Sequence, residues 1–146
     1  DRLVNAAAGF ARFGGPLVVV DLGTATKIEA VNASGDYLGG VIAPGLGLSL
    51  ETLAGRAARL YAVELTAPAS AIGRNTVAAV QAGVVLGHAA MIEGMIERVR
   101  AELGGAERIL LTGGFSHAVA PLVPEVTDHL PNLTLEGLHH IHRRNA

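Results

Sequence analysis

Leu17-Val18-Val19-Val20-Asp21-Leu22-Gly23-Thr24-Ala25-Thr26 reads as a buried strand running into a tight polar turn. Its β-branched and leucine side chains are continuous rather than alternating, the pattern of a strand covered on both faces and therefore central in a sheet. A carboxylate at the end of such a strand, followed by a glycine and two hydroxyls, suits the holding of a cation and nucleotide phosphates. The same residues also suit a β-hairpin in which Gly23 makes the turn and Asp21 and Thr24 cap backbone groups.

Working outward, Arg2 to Phe13 is Ala-rich with Leu3, Ala7 and Phe10 at helical spacing, and Gly14-Gly15-Pro16 stops it. Lys27 to Asn32 and Tyr37 to Ala43 are strand candidates joined by the turn Ala33-Ser34-Gly35-Asp36, so a three-strand meander is expected. Gly45 to Leu60 sets Leu46, Leu50, Leu53 and Ala57 on one helical face, and Thr76 to Leu103 is a long helical stretch stopped by Gly104-Gly105. Ile109 to Thr112 reads as a strand, Ser116 to Val123 as a short helix and Leu135 to Arg144 as a terminal helix after Pro131. The order predicts one α/β domain over residues 1–146, with no repeat and no linker.

Composition narrows the function. Half of the 146 residues are apolar, enough for a sizeable core, and the formal charge of −2 leaves no basic face for nucleic acid. The absence of cysteine excludes thiolate zinc and disulfide chemistry and fits a cytoplasmic protein. No leader is expected, and no membrane span either, because the apolar stretch Val77 to Ile92 is interrupted by Gln81 and His88. His139, His140 and His142 share a terminal turn with Arg143 and Arg144, where cations meet the negative end of a helix dipole. That reading is preferred to a metal site.

Several blocks, in order along the chain, resemble the type III pantothenate kinases. They are Asp1-Arg2-Leu3-Val4-Asn5-Ala6, Asp21-Leu22-Gly23-Thr24-Ala25-Thr26, Gly39-Gly40-Val41-Ile42-Ala43-Pro44-Gly45, Ile72-Gly73-Arg74-Asn75-Thr76, Thr112-Gly113-Gly114 and Leu133-Thr134-Leu135-Glu136-Gly137-Leu138. The resemblance implies one half of the ribonuclease-H-like, actin-like ATPase fold, a mixed sheet beginning with a three-strand meander and flanked by helices. It implies ATP-dependent phosphorylation of pantothenate, the entry to coenzyme A synthesis, by a cytoplasmic homodimer using magnesium with ATP and a monovalent cation, potassium or ammonium. Residue by residue, Asp1 matches the general base and, with Arg2 and Thr76, the pantothenate contacts. Asp21 matches the cation ligand, and Thr24, with Gly23, Gly113 and Gly114, matches the ATP contacts.

Each role has a plain structural counterpart. Asp1 suits a helix N-cap, Arg2 a solvated charge, and Asn75 or Thr76 the cap of the long helix. Gly83, Gly87, Ala90 and Gly94 form a small-residue stripe that suits either a dimer contact or tight packing on the sheet. A first phosphate loop of the Asp-x-Gly-Asn-Thr kind, which the family carries in an N-terminal half, has no match here. The chain is therefore expected to be a C-terminal half, inactive without its N-terminal half-domain. A non-catalytic dimerising or regulatory module of the same fold, or a kinase of the superfamily with another acceptor, are the alternative readings.

Overall fold

The structure, a computed structural model, describes residues 2–56 and 63–145, except for the side chains of residues 56 and 145. Asp1 and Ala57 lie outside the described residues. Helix α1 (Arg2–Phe13) precedes strands β1 (Leu17–Leu22), β2 (Ala25–Val31) and β3 (Tyr37–Pro44), the expected meander. Helix α2 (Leu46–Arg56) and helices α3 (Thr76–Gln81) and α4 (Gly87–Leu103) follow, the last two joined by a π-helical segment at Ala82–Leu86. Strand β4 (Arg108–Thr112), helix α5 (Ser116–Val119), a 3₁₀ turn at Ala120–Leu122, strand β5 (Asp128–His129) and helix α6 (Leu133–Asn145) complete the order.

One five-stranded sheet runs β3-β2-β1-β4-β5, antiparallel through the meander and parallel across β1, β4 and β5. β1 is central, and all six of its residues are buried, as its unbroken apolar run requires. Its side chains alternate between two cores. Val18, Val20 and Leu22 join Ile28, Val85, Ile92 and Ile96 on the α4 side, whereas Leu17 and Val19 join Ala6, Ala8, Leu110 and Leu133 on the α1 and α6 side. Burying each such aliphatic side chain contributes about 1.5–3 kcal/mol, so this central strand anchors the domain.

Three boundaries differ from expectation for local reasons. β2 begins two residues earlier, at Ala25, because the turn after β1 is short and Leu22 already pairs with Thr26. The stretch after Ser116 is α-helical only to Val119, since Pro121 lacks the N–H that would continue it and a 3₁₀ turn takes over. On α2, Leu46 is buried and Leu50 packs on the core, but Leu53 is 47% exposed, so the expected apolar face does not extend that far within this domain.

The long helical run has the expected bounds. Helix continues through Gln81 and His88 from Thr76 to Leu103, and these 28 residues are long and apolar enough by length and composition to cross a membrane. Val84, Val85, Ala89, Ile92, Ile96 and Val99 of this run face the sheet and build its larger core. The run therefore serves this fold as a core helix.

Candidate functional site

Asp21 and Thr112 are register partners at the carboxyl ends of the parallel pair β1 and β4, and the loops that leave these ends converge. Ligands in open α/β sheets bind outside such strand ends. Gly113 has φ +99, and a Cβ there would lie 2.5 Å from the Leu22 backbone nitrogen, so only glycine lets this loop cross β1. The Phe115 N–H then donates to the Leu22 carbonyl (3.0 Å), locking the Thr112-Gly113-Gly114 loop over the turn that carries Gly23 and Thr24. Gly114 is exposed with open space around its Cα, and Thr24 is exposed at the turn. From the other side, the Gly45 N–H donates to the Thr24 carbonyl (3.1 Å), and a Cβ at Gly45 would collide with the Gly23 and Thr24 carbonyls. Gly45 is thus packed directly against the turn after β1.

The hairpin expected of residues 21–26 is present. Gly23 closes the turn, its N–H donating to the Ala25 carbonyl (3.2 Å), while Thr24 stays at the surface. Thr112 is fully buried, and its Oγ1 finds no hydrogen-bond partner among the described residues. A buried hydroxyl without a partner is uncommon and marks a place where a ligand or water would complete the bonding.

Asp21 faces the α1 side of the sheet. Its Oδ2 accepts from Lys27 Nζ at 2.8 Å, across the β1–β2 register pair, and from Asn5 Nδ2 at 3.3 Å. Asn5 is itself fixed, its Oδ1 accepting from the Thr134 hydroxyl at 2.7 Å. These partners bear on the monovalent cation expected at Asp21. The carboxylate oxygen meets two donors, one of them already a cation, and the Asn5 oxygen is occupied. Alkali-cation sites are lined by oxygens that replace the hydration shell, so this donor set does not fit such an ion. Among the described residues no cluster of three or more His, Asp or Glu could hold a metal.

Arg2 begins α1 one strand further out. Its Nε and Nη2 donate to the two oxygens of Glu29 at 2.7 and 3.1 Å, and its guanidinium lies 5.8 Å from the Tyr37 ring centre. Glu29 is 1% exposed, and the Tyr37 hydroxyl donates to the same carboxylate. Donating to Glu29 raises the Arg2 pKa above its ordinary value; burial, then the hydrogen bond to the same carboxylate, raises that of Tyr37. Arg2, expected as a pantothenate contact, thus has its fork engaged by a carboxylate from β2. Glu29 was missed by the sequence reading, although an acidic residue at an inward position of a strand was a usable signal.

Thr76 stands apart. It is exposed at the start of α3, where Asn75 is the cap, its side chain accepting from the Ala78 N–H at 2.9 Å. No hydrogen bond or ion pair among the described residues ties Thr76 to Asp21, Thr24 or Gly113. Asp1 lies outside the described residues. A second buried polar pair, Thr26 Oγ1 and His88 Nε2 at 2.7 Å, joins the same hairpin to α4, and burial lowers the His88 pKa.

A profile of the type III pantothenate kinase family matches residues 1–98. The chain belongs to that family. A type III pantothenate kinase of Roseiflexus sp. strain RS-1 is 46% identical over 145 residues, covering 99% of this chain and 57% of the relative. The Thermomicrobium roseum enzyme is 48% identical over 144 residues, again covering 99% of this chain and 56% of its own. The chain thus spans a little over half the length of the curated pantothenate kinases it matches.

Among solved structures, a Baf family protein of Campylobacter jejuni superposes with a TM-score of 0.70 at 23% identity, over 98% of this chain and 64% of that one. Component A of the Acidaminococcus fermentans (R)-2-hydroxyglutaryl-CoA dehydratase gives 0.57 at 16% identity, over 92% and 63%. The apo ParM protein of pSK41 gives 0.52 at 13%, over 99% and 49%. At such identities these likenesses establish the fold, a mixed sheet with flanking helices of the actin-like ATPase kind.

Proposed function

We propose that this chain forms one wall of the active-site cleft of an ATP-dependent kinase that phosphorylates pantothenate to 4'-phosphopantothenate. The rest of the relatives' length supplies the opposing wall. The convergence of the Gly23-Thr24 turn and the Gly113-Gly114 loop over the carboxyl ends of β1 and β4 carries this reading, together with family membership.

In this reading ATP, with its magnesium, lies along the two loops, Thr24 donates to phosphate oxygens, and the exposed backbone at Gly114, next to Gly113, admits the adenosine. Asp1 accepts the proton of the pantothenate hydroxyl late, as the γ-phosphoryl group arrives. An ordinary carboxylate suffices for that, because phosphoryl transfer relies chiefly on positioning and charge neutralisation. Arg2, its fork held by Glu29, lines the pantothenate site as a fixed positive charge rather than as a carboxylate clamp, and Thr76 is brought to that site from the start of α3. ATP as co-substrate fits a cytoplasmic reaction.

A homodimer belongs to the same proposal. Gly83, Gly87 and Ala90 are exposed, Gly83 and Gly87 lining an open groove with Ala43 and Pro44 at the end of β3, so these small residues remain open to a partner. Small residues let a partner helix approach closely.

The deciding experiment assays the full-length protein for phosphate transfer from ATP to pantothenate and to a panel of other hydroxy acids and sugars, beside the Asp1→Asn and Thr24→Ala variants. Transfer to pantothenate, lost in Asp1→Asn and weakened for ATP in Thr24→Ala, is the expected result. Preference for another acceptor, or no transfer at all, overturns it. Residues 1–146 alone are expected to turn over little.

A further inference from the structure

The family resemblance gives no role to Lys27. It is the cross-strand partner of Asp21, and its ammonium sits 2.8 Å from Asp21 Oδ2, with the two side chains only 13% and 10% exposed. An ion pair this far from water is little screened by salt. It is also held on both sides. The Asn5 amide donates to the same oxygen, and the Thr134 hydroxyl fixes that amide with its N–H₂ toward Asp21, so the Asn5 oxygen cannot turn to greet a cation.

A second cation at this oxygen would face the Lys27 ammonium across a partly desolvated gap. Like charges that close disfavour one another strongly. Yet a single positive charge beside the phosphate turn is what a transferring phosphoryl group requires. The chemistry of the occupant is already that of an ammonium ion, tethered to β2 by its own chain.

We propose that Lys27 is a built-in monovalent cation: its ammonium supplies at Asp21 the positive charge that a free potassium or ammonium ion would otherwise supply. The proposal rests on the pantothenate kinase reading above. It makes the intact enzyme independent of added monovalent cations, and makes Lys27 a determinant of that independence.

The test uses the full-length protein, wild type, Lys27→Met and Lys27→Arg, in choline chloride, potassium chloride or ammonium chloride at equal ionic strength. Two quantities are read: pantothenate phosphorylation, and the thermal midpoint without substrates. For the wild type, both should be the same in all three salts. In Lys27→Met, activity in choline should fall about tenfold or more, potassium or ammonium should restore much of it, and those two ions should raise the thermal midpoint as choline does not. Lys27→Arg keeps the charge and should stay indifferent to the salt, which provides the answer should Lys27→Met fail to fold. A wild type whose thermal midpoint or rate rises with potassium overturns the proposal, as does a folded Lys27→Met whose midpoint ignores the ion. If no variant phosphorylates pantothenate in any salt, the kinase reading fails, and the thermal midpoints still decide the role of Lys27.

Discussion

Glu29 shows how one buried charge organises a site. It is almost wholly enclosed, and it holds Arg2 through both carboxylate oxygens while accepting the Tyr37 hydroxyl. Tyr37→Phe removes one hydrogen bond to a charged group and should cost about 1–3 kcal/mol in urea unfolding. It should also weaken pantothenate binding more than ATP binding, since the loosened partner is Arg2; equal changes in the two KM values would count against that link. His88 gives a pH signature. Burial lowers its pKa, so the folded chain favours the neutral ring. As pH falls below about 6.5, the unfolded chain takes up a proton that the fold resists, and stability is lost; above that pH the contribution is fully present. His129, lowered by burial and by the neighbouring His117, acts with the same sign. Melting temperature should therefore decline from pH 7 toward pH 5, with a shallower decline in His88→Gln. An unchanged slope in that variant would assign the effect elsewhere.

At the level of elements, two adjacent glycines of one loop have opposite duties. Gly113→Ala forces a side chain onto a left-handed backbone and into Leu22, and should cost about 2–4 kcal/mol and disrupt the loop. Gly114→Ala meets open space and should leave stability within about 0.5 kcal/mol of wild type. Chemical denaturation of both variants checks the pair, and similar losses would contradict this loop geometry. Asn75 was one of two candidate caps read from the sequence, and the structure selects it over Thr76. Asn75→Ala should then cost about 1 kcal/mol, and Thr76→Ala much less. The selection was not legible beforehand, because either side chain suits a cap and only the backbone at residue 75, at φ −147 and ψ 169, decides which one sits outside the helix.

At the level of the whole molecule, the long helix has two faces with different prospects. Its sheet-facing side is committed to the core, while Gly83, Gly87 and Ala90 lie open. Gly87→Arg on the full-length protein should shift sedimentation from dimer to monomer, and a persistent dimer would move the interface elsewhere. The sequence by itself determined the central strand, the meander, the long helix and the tight turn after β1, because those depend on periodicity, on unbroken apolar runs and on glycine placement, all local in the chain. Family membership was likewise carried by short blocks in order. Only the tertiary structure decided what the charges do. Asp21 with Lys27, and Glu29 with Arg2, are chosen by strand register and by the packing of α1 on the sheet, and register is a relation between segments that no single segment encodes.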